Sequence, residues 1–275
     1  SSPRPGTVLA DKAHLKELDA SIAAFCDMTR DAIRGGLGRI DTRGFASGGP
    51  FNAAWLARCI QGWAGPDGDV QAASQTVNYI SCHDDWTLWD KLTSAVCGGR
   101  GFCRVRPQAL RANRLAAAML MCCQGHVFML SGEEFARTKR GVRNTYRSPI
   151  QLNAIDWKRA RAQRELAQYY RGLIALRKRL PALTDKSREA AGRVLEAAQP
   201  RGDSAVLLID NAGGSPWNTL LVAFNTGPEP LVIDLPEGEW TPLVGAESSF
   251  LWQTPRSVWA QAQLPPVSAL FLGRA

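Results

Sequence analysis

The pattern of apolar residues changes at Pro181, and this change constrains the fold more than any other feature of the chain. Before Pro181, short strand-like runs alternate with helical patterns. Such alternation predicts parallel strands joined by crossover helices. After Pro181, the chain continues as seven short strand-like runs that are separated by Gly, Pro, Asn and Asp. Regular spacing of this kind is typical of an antiparallel β-sandwich.

Six segments carry the alternation in the first part. The predicted strands are 21–27, 76–81 and 126–131, and the predicted helices are 52–63, 106–123 and 162–180. The last helix has apolar residues at three- and four-residue spacing, and Pro181 ends it. Three strand–helix units leave two unpaired sheet edges, so we expect these units to be part of a larger sheet.

The two patterns predict two domains, and the fold class is α/β plus all-β. We place an α/β region at residues 1–182 and a β-sandwich domain at residues 183–275, with the change of pattern complete by Arg193. The chain has 275 residues, of which 45% are hydrophobic, so both regions can bury a core. The sequence does not begin with Met, and we expect it to belong to a longer protein.

Charge, hydropathy and cysteine content exclude several classes of function. The net charge of +8 is scattered, and its longest run is only Arg177–Arg179, so no nucleic-acid partner is predicted. No uninterrupted apolar run reaches the roughly 18 residues of a membrane span, so no membrane association is predicted. Seven cysteines cannot form a complete set of internal disulfides, which favours a reducing, cytoplasmic compartment.

Polar side chains follow each predicted strand of the α/β region. Asp27 ends the first strand, His83 and Asp84 follow the second, and Glu133 and Glu134 follow the third. The carboxyl ends of parallel strands share one edge, and active sites of α/β barrels lie there. One such strand end is often only a solvated loop, but three together predict a functional site.

Three segments resemble type I pullulanases, within the α-amylase superfamily of glycoside hydrolases. "VNYISCHDDWTLWDKL" (77–92) is similar to the pattern VNY-V-S-x-HDN-x-TLWD of those enzymes. "IAAFCDMTRDAIRGG" with "GFASG" resembles the stretch that precedes it, and "QGHVFMLSGEEFARTKRGVRNTYRSPIQLNAIDW" (124–157) resembles the stretch that follows. The resemblance runs from about residue 8 to the end, in the order of the family.

The resemblance implies a fold, an activity and site residues. It implies the last three units of a (β/α)8 barrel of the TIM type, followed by the C-terminal β-sandwich. The activity would be retaining hydrolysis of α-1,6-glucosidic branch linkages in pullulan, glycogen or starch dextrins. Asp84 would be the catalytic carboxylate that stabilises the oxocarbenium-like transition state. His83, Asp85, Asn144 and Tyr146 would bind the α-glucan substrate.

Several positions depart from the family pattern. Asp85 stands where Asn is usual, and Arg147 stands where Asn is common. Trp86, Trp89 and Trp157 are candidates for sugar stacking, and for Trp89 and Trp157 packing in the barrel is favoured. The motifs "GFRFD" and "GEPW", which carry the family's nucleophile and general acid, do not occur in the chain, so the chain alone is predicted to be inactive.

Two other kinds of function stay open. In the first, the parent protein is another α-amylase-superfamily enzyme, such as an isoamylase or an α-1,4-acting hydrolase. In the second, the chain is a non-catalytic carbohydrate-binding remnant. No CxxC pair and no convergent set of Asp and Glu requires a metal, so neither a cofactor nor a metal ligand is predicted, although calcium is compatible with the family. The sequence identifies no partner chain.

Overall fold

The protein is described by a computed structural model that covers residue 7, residues 9–214 and residues 216–275. Its helices are α1 (Asp27–Arg34), α2 (Ala53–Ile60), α3 (Leu88–Cys97), α4 (Pro107–Cys122), α5 (Ile150–Asn153), α6 (Trp157–Ala162), α7 (Arg164–Arg177) and α8 (Pro181–Thr184). Its strands are β1 (Ala24–Cys26), β2 (Thr76–Asn78), β3 (His126–Val127), β4 (Val194–Ala198), β5 (Ser204–Asp210), β6 (Thr219–Asn225), β7 (Leu231–Asp234), β8 (Thr241–Val244), β9 (Gln261–Leu264) and β10 (Ser268–Arg274). None of these described helices combines the length and apolarity that a membrane span requires.

The first three strands form a parallel sheet in the order β1-β2-β3, as the sequence predicts. Asn52 caps α2 by accepting a hydrogen bond from the Trp55 amide, and Pro107 occupies the first turn of α4. Since the three strands are parallel, the loops that follow them leave the sheet along one edge. This edge carries Asp27, His83 and Asp84.

Some of these elements differ from the sequence-based expectation. The predicted strand over 126–131 is mostly wrong, because β3 pairs over only two residues. The Phe128 amide still donates to the Asn78 carbonyl at 2.9 Å, but β2 itself ends at Asn78. The helices α1 and α3 were not predicted, although Thr87 caps α3 by accepting from the Asp90 amide.

All seven predicted runs of the second part form strands. Five of them make an antiparallel sheet in the order β4-β5-β6-β10-β8, and β7 pairs with β9 in a second antiparallel sheet. The coarse fold class, helices with a parallel sheet followed by an all-β region, is therefore as the sequence predicts.

The large sheet is buried on both faces of its central strand β6. Val222 and Phe224 lie in the same apolar cluster as residues of α4 and α7. The residues that alternate with them, Leu221 and Ala223, pack with Trp240 and residues of β7 and β9. This period of two is what a strand between two apolar layers requires. The sheet therefore connects the helical layer to the small sheet.

The boundary between residues 182 and 183 stays a prediction, which limited proteolysis can test. Lys186 and Arg188 are exposed in the irregular segment between α8 and β4, so trypsin is expected to cut there first. The two fragments should stay together on gel filtration, because the large sheet shares an apolar cluster with α4 and α7. First cleavage within α7 instead would contradict the boundary.

Candidate active site

The turn after β2 presents two ionisable side chains to solvent. The side chain of His83 is 85% exposed and that of Asp84 is 66% exposed, and His83 Nε2 lies 3.5 Å from Asp84 Oδ1. The residues just before them, Tyr79, Ile80 and Ser81, are buried. The chain therefore emerges from the core directly into this turn.

A cavity of about 130 Å³ lies beside this turn. Its lining residues come from the turn after β2 and from the segment between β3 and the end of α5, and they are His83, Asp84, Lys139, Asn144, Thr145, Tyr146 and Asn153. Four of the five site residues named from the sequence, all except Asp85, thus border one space. Among the described lining residues, Asp84 is the only carboxylate.

Asp85 shapes the turn rather than the cavity. Its φ is 58° and that of Asn144 is 50°, a left-handed region that Asp and Asn tolerate better than most residues. The Asp85 amide donates to Asn144 Oδ1 at 2.7 Å, and the Asn144 amide donates to the Asp85 carbonyl at 3.3 Å. Arg143 Nε donates to Asp85 Oδ1 at 2.6 Å. A substrate contact of Asp85 stays a prediction, whereas its contacts here hold two loops together.

Three residues of the cavity were missed by the sequence analysis, namely Lys139, Thr145 and Asn153. Lys139 Nζ donates to Thr145 Oγ1 at 2.7 Å, and Thr145 Oγ1 donates to Asn153 Oδ1 at 2.6 Å. Burial lowers the pKa of Lys139 from its ordinary value. Their positions within "RTK", "NTY" and "SPIQLN", three parts of the resemblance, were the available signal.

Asp90 fixes the position of Lys139. Its carboxylate is fully buried and accepts from Thr138 Oγ1 at 2.5 Å and from the Lys139 amide at 2.8 Å. Asp90 lies in the first turn of α3, so the cavity-lining loop is attached to the helix that follows the Asp84 turn.

Glu133 lies beneath the turn and is only 3% exposed. Ser81, three residues before Asp84, donates its hydroxyl to Glu133 Oε2. Glu133 Oε1 has no partner among the described residues. Burial raises the pKa of Glu133 to about 8, with the neighbouring Glu134 adding to the rise and the Ser81 hydrogen bond opposing it.

Asp27 belongs to a separate cluster. Its carboxylate accepts from Tyr79 Oη at 2.6 Å, from Arg30 at 2.9 Å and from Lys12 at 2.8 Å. It does not line the Asp84 cavity. Polar groups do follow all three strands, but they do not meet at one site: only His83 and Asp84 border the cavity, and Glu133 is buried against Ser81.

The three tryptophan predictions have different outcomes, and the one for Trp86 is wrong. Trp86 is 8% exposed, and the charged groups of Lys91 and Arg143 lie 5.6 Å and 4.9 Å from its ring centre, so no face is free for a sugar. Trp157 is 68% exposed, so it does not pack among the described residues, and sugar stacking by Trp157 stays a prediction. The packing role of Trp89, which is 1% exposed, is confirmed.

Comparison with known proteins identifies the relatives of this chain. A family model described as the pullulanase all-beta domain matches residues 198–248. Pullulanase of Bacillus subtilis (strain 168) is 35% identical over 219 residues, which are 78% of this chain and 30% of that protein. A glycogen debranching enzyme of Salmonella paratyphi B is 32% identical over 158 residues, which are 50% of this chain and 22% of that protein.

Solved structures give the same relationship. The structure of type I pullulanase from Bacillus subtilis complexed with maltose superimposes with a TM-score of 0.89 at 28% identity, over 100% of this chain and 38% of that one. A pullulanase from Paenibacillus barengoltzii in complex with maltohexaose and α-cyclodextrin gives a TM-score of 0.78 at 32% identity, over 92% of this chain and 38% of that one. The chain spans less than a third of the length of the two curated relatives. In sequence and in fold, the chain belongs to the pullulanases.

Proposed function

We propose that the chain is the C-terminal segment of a retaining glycoside hydrolase that cleaves α-1,6-glucosidic branch linkages in pullulan, glycogen or starch dextrins. Residues 1–182 would supply the last three units of a (β/α)8 barrel, and residues 183–275 would form the C-terminal β-sandwich. Asp84 would stabilise the positive charge that develops on the sugar ring in the transition state. The substrate is an α-glucan.

The cavity beside Asp84 carries this proposal. It lies where parallel strands end, and it combines one exposed carboxylate with an imidazole, two amides, two hydroxyls and an ammonium group. Such groups can donate to and accept from sugar hydroxyls. Two residues with positive φ, Asp85 and Asn144, hold its rim, and backbone strain of this kind is concentrated at functional sites.

A partly exposed aromatic cluster at the parallel sheet supports the proposal that residues 1–182 belong to a larger barrel. The ring centre of Phe25 in β1 lies 4.9 Å from that of Tyr79 and 5.2 Å from that of Phe128. Phe25 nevertheless remains 40% exposed. An apolar cluster left partly open to water is typical of a surface that another element covers.

The 275-residue chain by itself is expected to hydrolyse neither pullulan nor a branched dextrin. Retaining hydrolysis needs two carboxyl groups about 5 to 5.5 Å apart, as nucleophile and general acid, and Asp84 is the only carboxylate among the described residues that line the cavity. An assay for new reducing ends measures this. Turnover that disappears in Asp84→Ala would show that the chain contains both missing groups.

A longer polypeptide that carries this segment tests the substrate. Pullulan consists of maltotriose units joined by α-1,6 linkages, so an α-1,6-specific enzyme should release maltotriose as its final product. Release of a trisaccharide that retains an α-1,6 linkage would indicate an α-1,4-acting relative instead. Glucan binding without any turnover would favour a non-catalytic carbohydrate-binding protein.

A further inference from the structure

Cys82 precedes the two exposed residues of the candidate site and completes a second set of ligands there. The thiol is free, half-buried, and donates weakly to the Asp84 carbonyl at 3.9 Å. One ligand atom from each of Cys82, His83 and Asp84 can be chosen so that all three lie within 4.8 Å of one another. The family pattern leaves the position of Cys82 open, so this set does not follow from the resemblance.

We propose that Cys82, His83 and Asp84 form a binding site for Zn²⁺, and that a bound ion blocks the glucan site. A thiolate, an imidazole and a carboxylate are the three ligand types that zinc uses in proteins. Three protein ligands leave one position of a tetrahedral ion for water. Calcium is a poor candidate, because it prefers six to eight oxygen ligands.

The distances suit this ion. Neighbouring ligand atoms on a tetrahedral zinc ion lie about 3.3 to 3.8 Å apart, given zinc–ligand bonds of about 2.0 to 2.3 Å. His83 Nε2 and Asp84 Oδ1 are already 3.5 Å apart. No pair in the set of three ligand atoms is more than 4.8 Å apart, so each pair needs to close by at most about 1 to 1.5 Å. Both His83 and Asp84 are exposed, so a change of rotamer can supply this movement.

The positive charge of Lys139 limits the affinity of this site for Zn²⁺. Lys139 lines the same cavity as Asp84, and its ammonium group is held by Thr145 at 2.7 Å. Its charge opposes a second cation, whereas the thiolate and the carboxylate favour it. We therefore expect a site that is weaker than a closed structural zinc site and that a chelator can empty.

The consequence for the glucan rests on the proposed function. An ion on His83 and Asp84 would occupy the groups that are proposed to contact the sugar. Zinc should therefore inhibit hydrolysis in competition with pullulan, and a chelator should restore activity. Cys82 does not line the cavity, so Cys82→Ser should keep its activity while it loses sensitivity to zinc.

Cobalt provides a direct test of binding on the 275-residue chain, because Co²⁺ bound to a thiolate gives a charge-transfer absorption. The unmodified chain should show this band, and added Zn²⁺ should remove it by displacement. Cys82→Ser should abolish the band. The matched control is Cys103→Ser, which removes a free and more exposed thiol elsewhere and should leave the band unchanged.

Zinc titration gives the size of the effect. Loss of a residue that only supports a ligand costs about 10- to 100-fold in metal affinity, so Cys82→Ser and His83→Asn should each weaken Zn²⁺ binding at least tenfold. A band that persists in Cys82→Ser, or that disappears in Cys103→Ser, would overturn the site.

Inhibition is measured separately, on an active longer polypeptide. Zinc that binds but leaves turnover unchanged would overturn the proposed block. An inactive longer polypeptide would count against the proposed function alone, because the cobalt measurement on the chain decides the metal site without any assay of hydrolysis.

Discussion

Asp84→Asn is expected to lower kcat for pullulan hydrolysis at least a hundredfold, in the longest polypeptide that carries this segment. The change preserves the size of the side chain and its capacity to accept a hydrogen bond, but it removes the negative charge. Loss of one fixed electrostatic contact to a transition state costs about 3 to 4 kcal/mol. Asp84 is exposed beside the cavity, and its other neighbours there are neutral or positively charged groups. Steady-state kinetics with pullulan measures the effect.

Asp85→Asn is the matched control for this prediction. It removes the same charge from the adjacent residue, and Asn tolerates the positive φ at this position as well as Asp does. It gives up an ion pair with Arg143 that is partly exposed, which is worth about 0 to 1 kcal/mol of stability. We expect kcat to stay within about threefold, because the charge that stabilises the transition state is retained. If Asp85→Asn were the inactive variant and Asp84→Asn the active one, the assignment of the catalytic carboxylate would be wrong.

The sequence predicted the parts of the fold that depend on local pattern. The seven strand-like runs after Pro181 are bounded by turn residues, and each became a strand. The helix α7 was recognised because its apolar residues repeat at helical spacing, and Leu166, Tyr169 and Leu173 are indeed buried. In these segments the local signal and the tertiary environment agree, so the sequence was sufficient.

Tertiary contacts decided the rest of the fold and of the site. The run 126–131 is apolar enough for a strand, but its pairing depends on β2, which ends at Asn78. Trp86 was predicted as a candidate for sugar stacking, whereas its ring is covered by Lys91 and Arg143, which are distant from each other in sequence. The contribution of Lys139 to the cavity likewise depends on a fold-back of the loop after β3, which no local pattern predicts.

Glu133 is expected to make the stability of the chain strongly dependent on pH. Its pKa is about 8 in the folded protein, whereas an exposed glutamate has a pKa of about 4.3. Between these values the unfolded chain is ionised at this residue while the folded chain keeps the proton. The free energy of unfolding is therefore not reduced by Glu133 below about pH 4.3. It falls as the pH rises toward 8, by about 5 kcal/mol in total.

Glu133→Gln should remove this slope. The amide is neutral at every pH and can still accept the hydrogen bond from Ser81. Urea unfolding at about pH 5 should show a small difference between the variant and the unmodified chain, whereas at about pH 8 the variant should be more stable by several kcal/mol. Glu134→Gln is the matched control, because it removes the adjacent and less buried carboxylate but keeps Glu133, so most of the pH dependence that Glu133 causes should remain in this variant.

Loss of stability in Glu133→Gln would instead indicate that Glu133 is ionised and paired with Arg34, which also lies near it. Arg34 is 1% exposed, donates from Nη1 to the Trp86 carbonyl at 3.0 Å, and has no described partner for Nε and Nη2. Its charge opposes the rise in the pKa of Glu133, but burial has the larger effect. If Glu133 were instead ionised and paired with Arg34, Glu133→Gln would leave a buried charge without compensation. The variant would then be less stable by about 3 to 5 kcal/mol across the whole pH range rather than more stable at high pH.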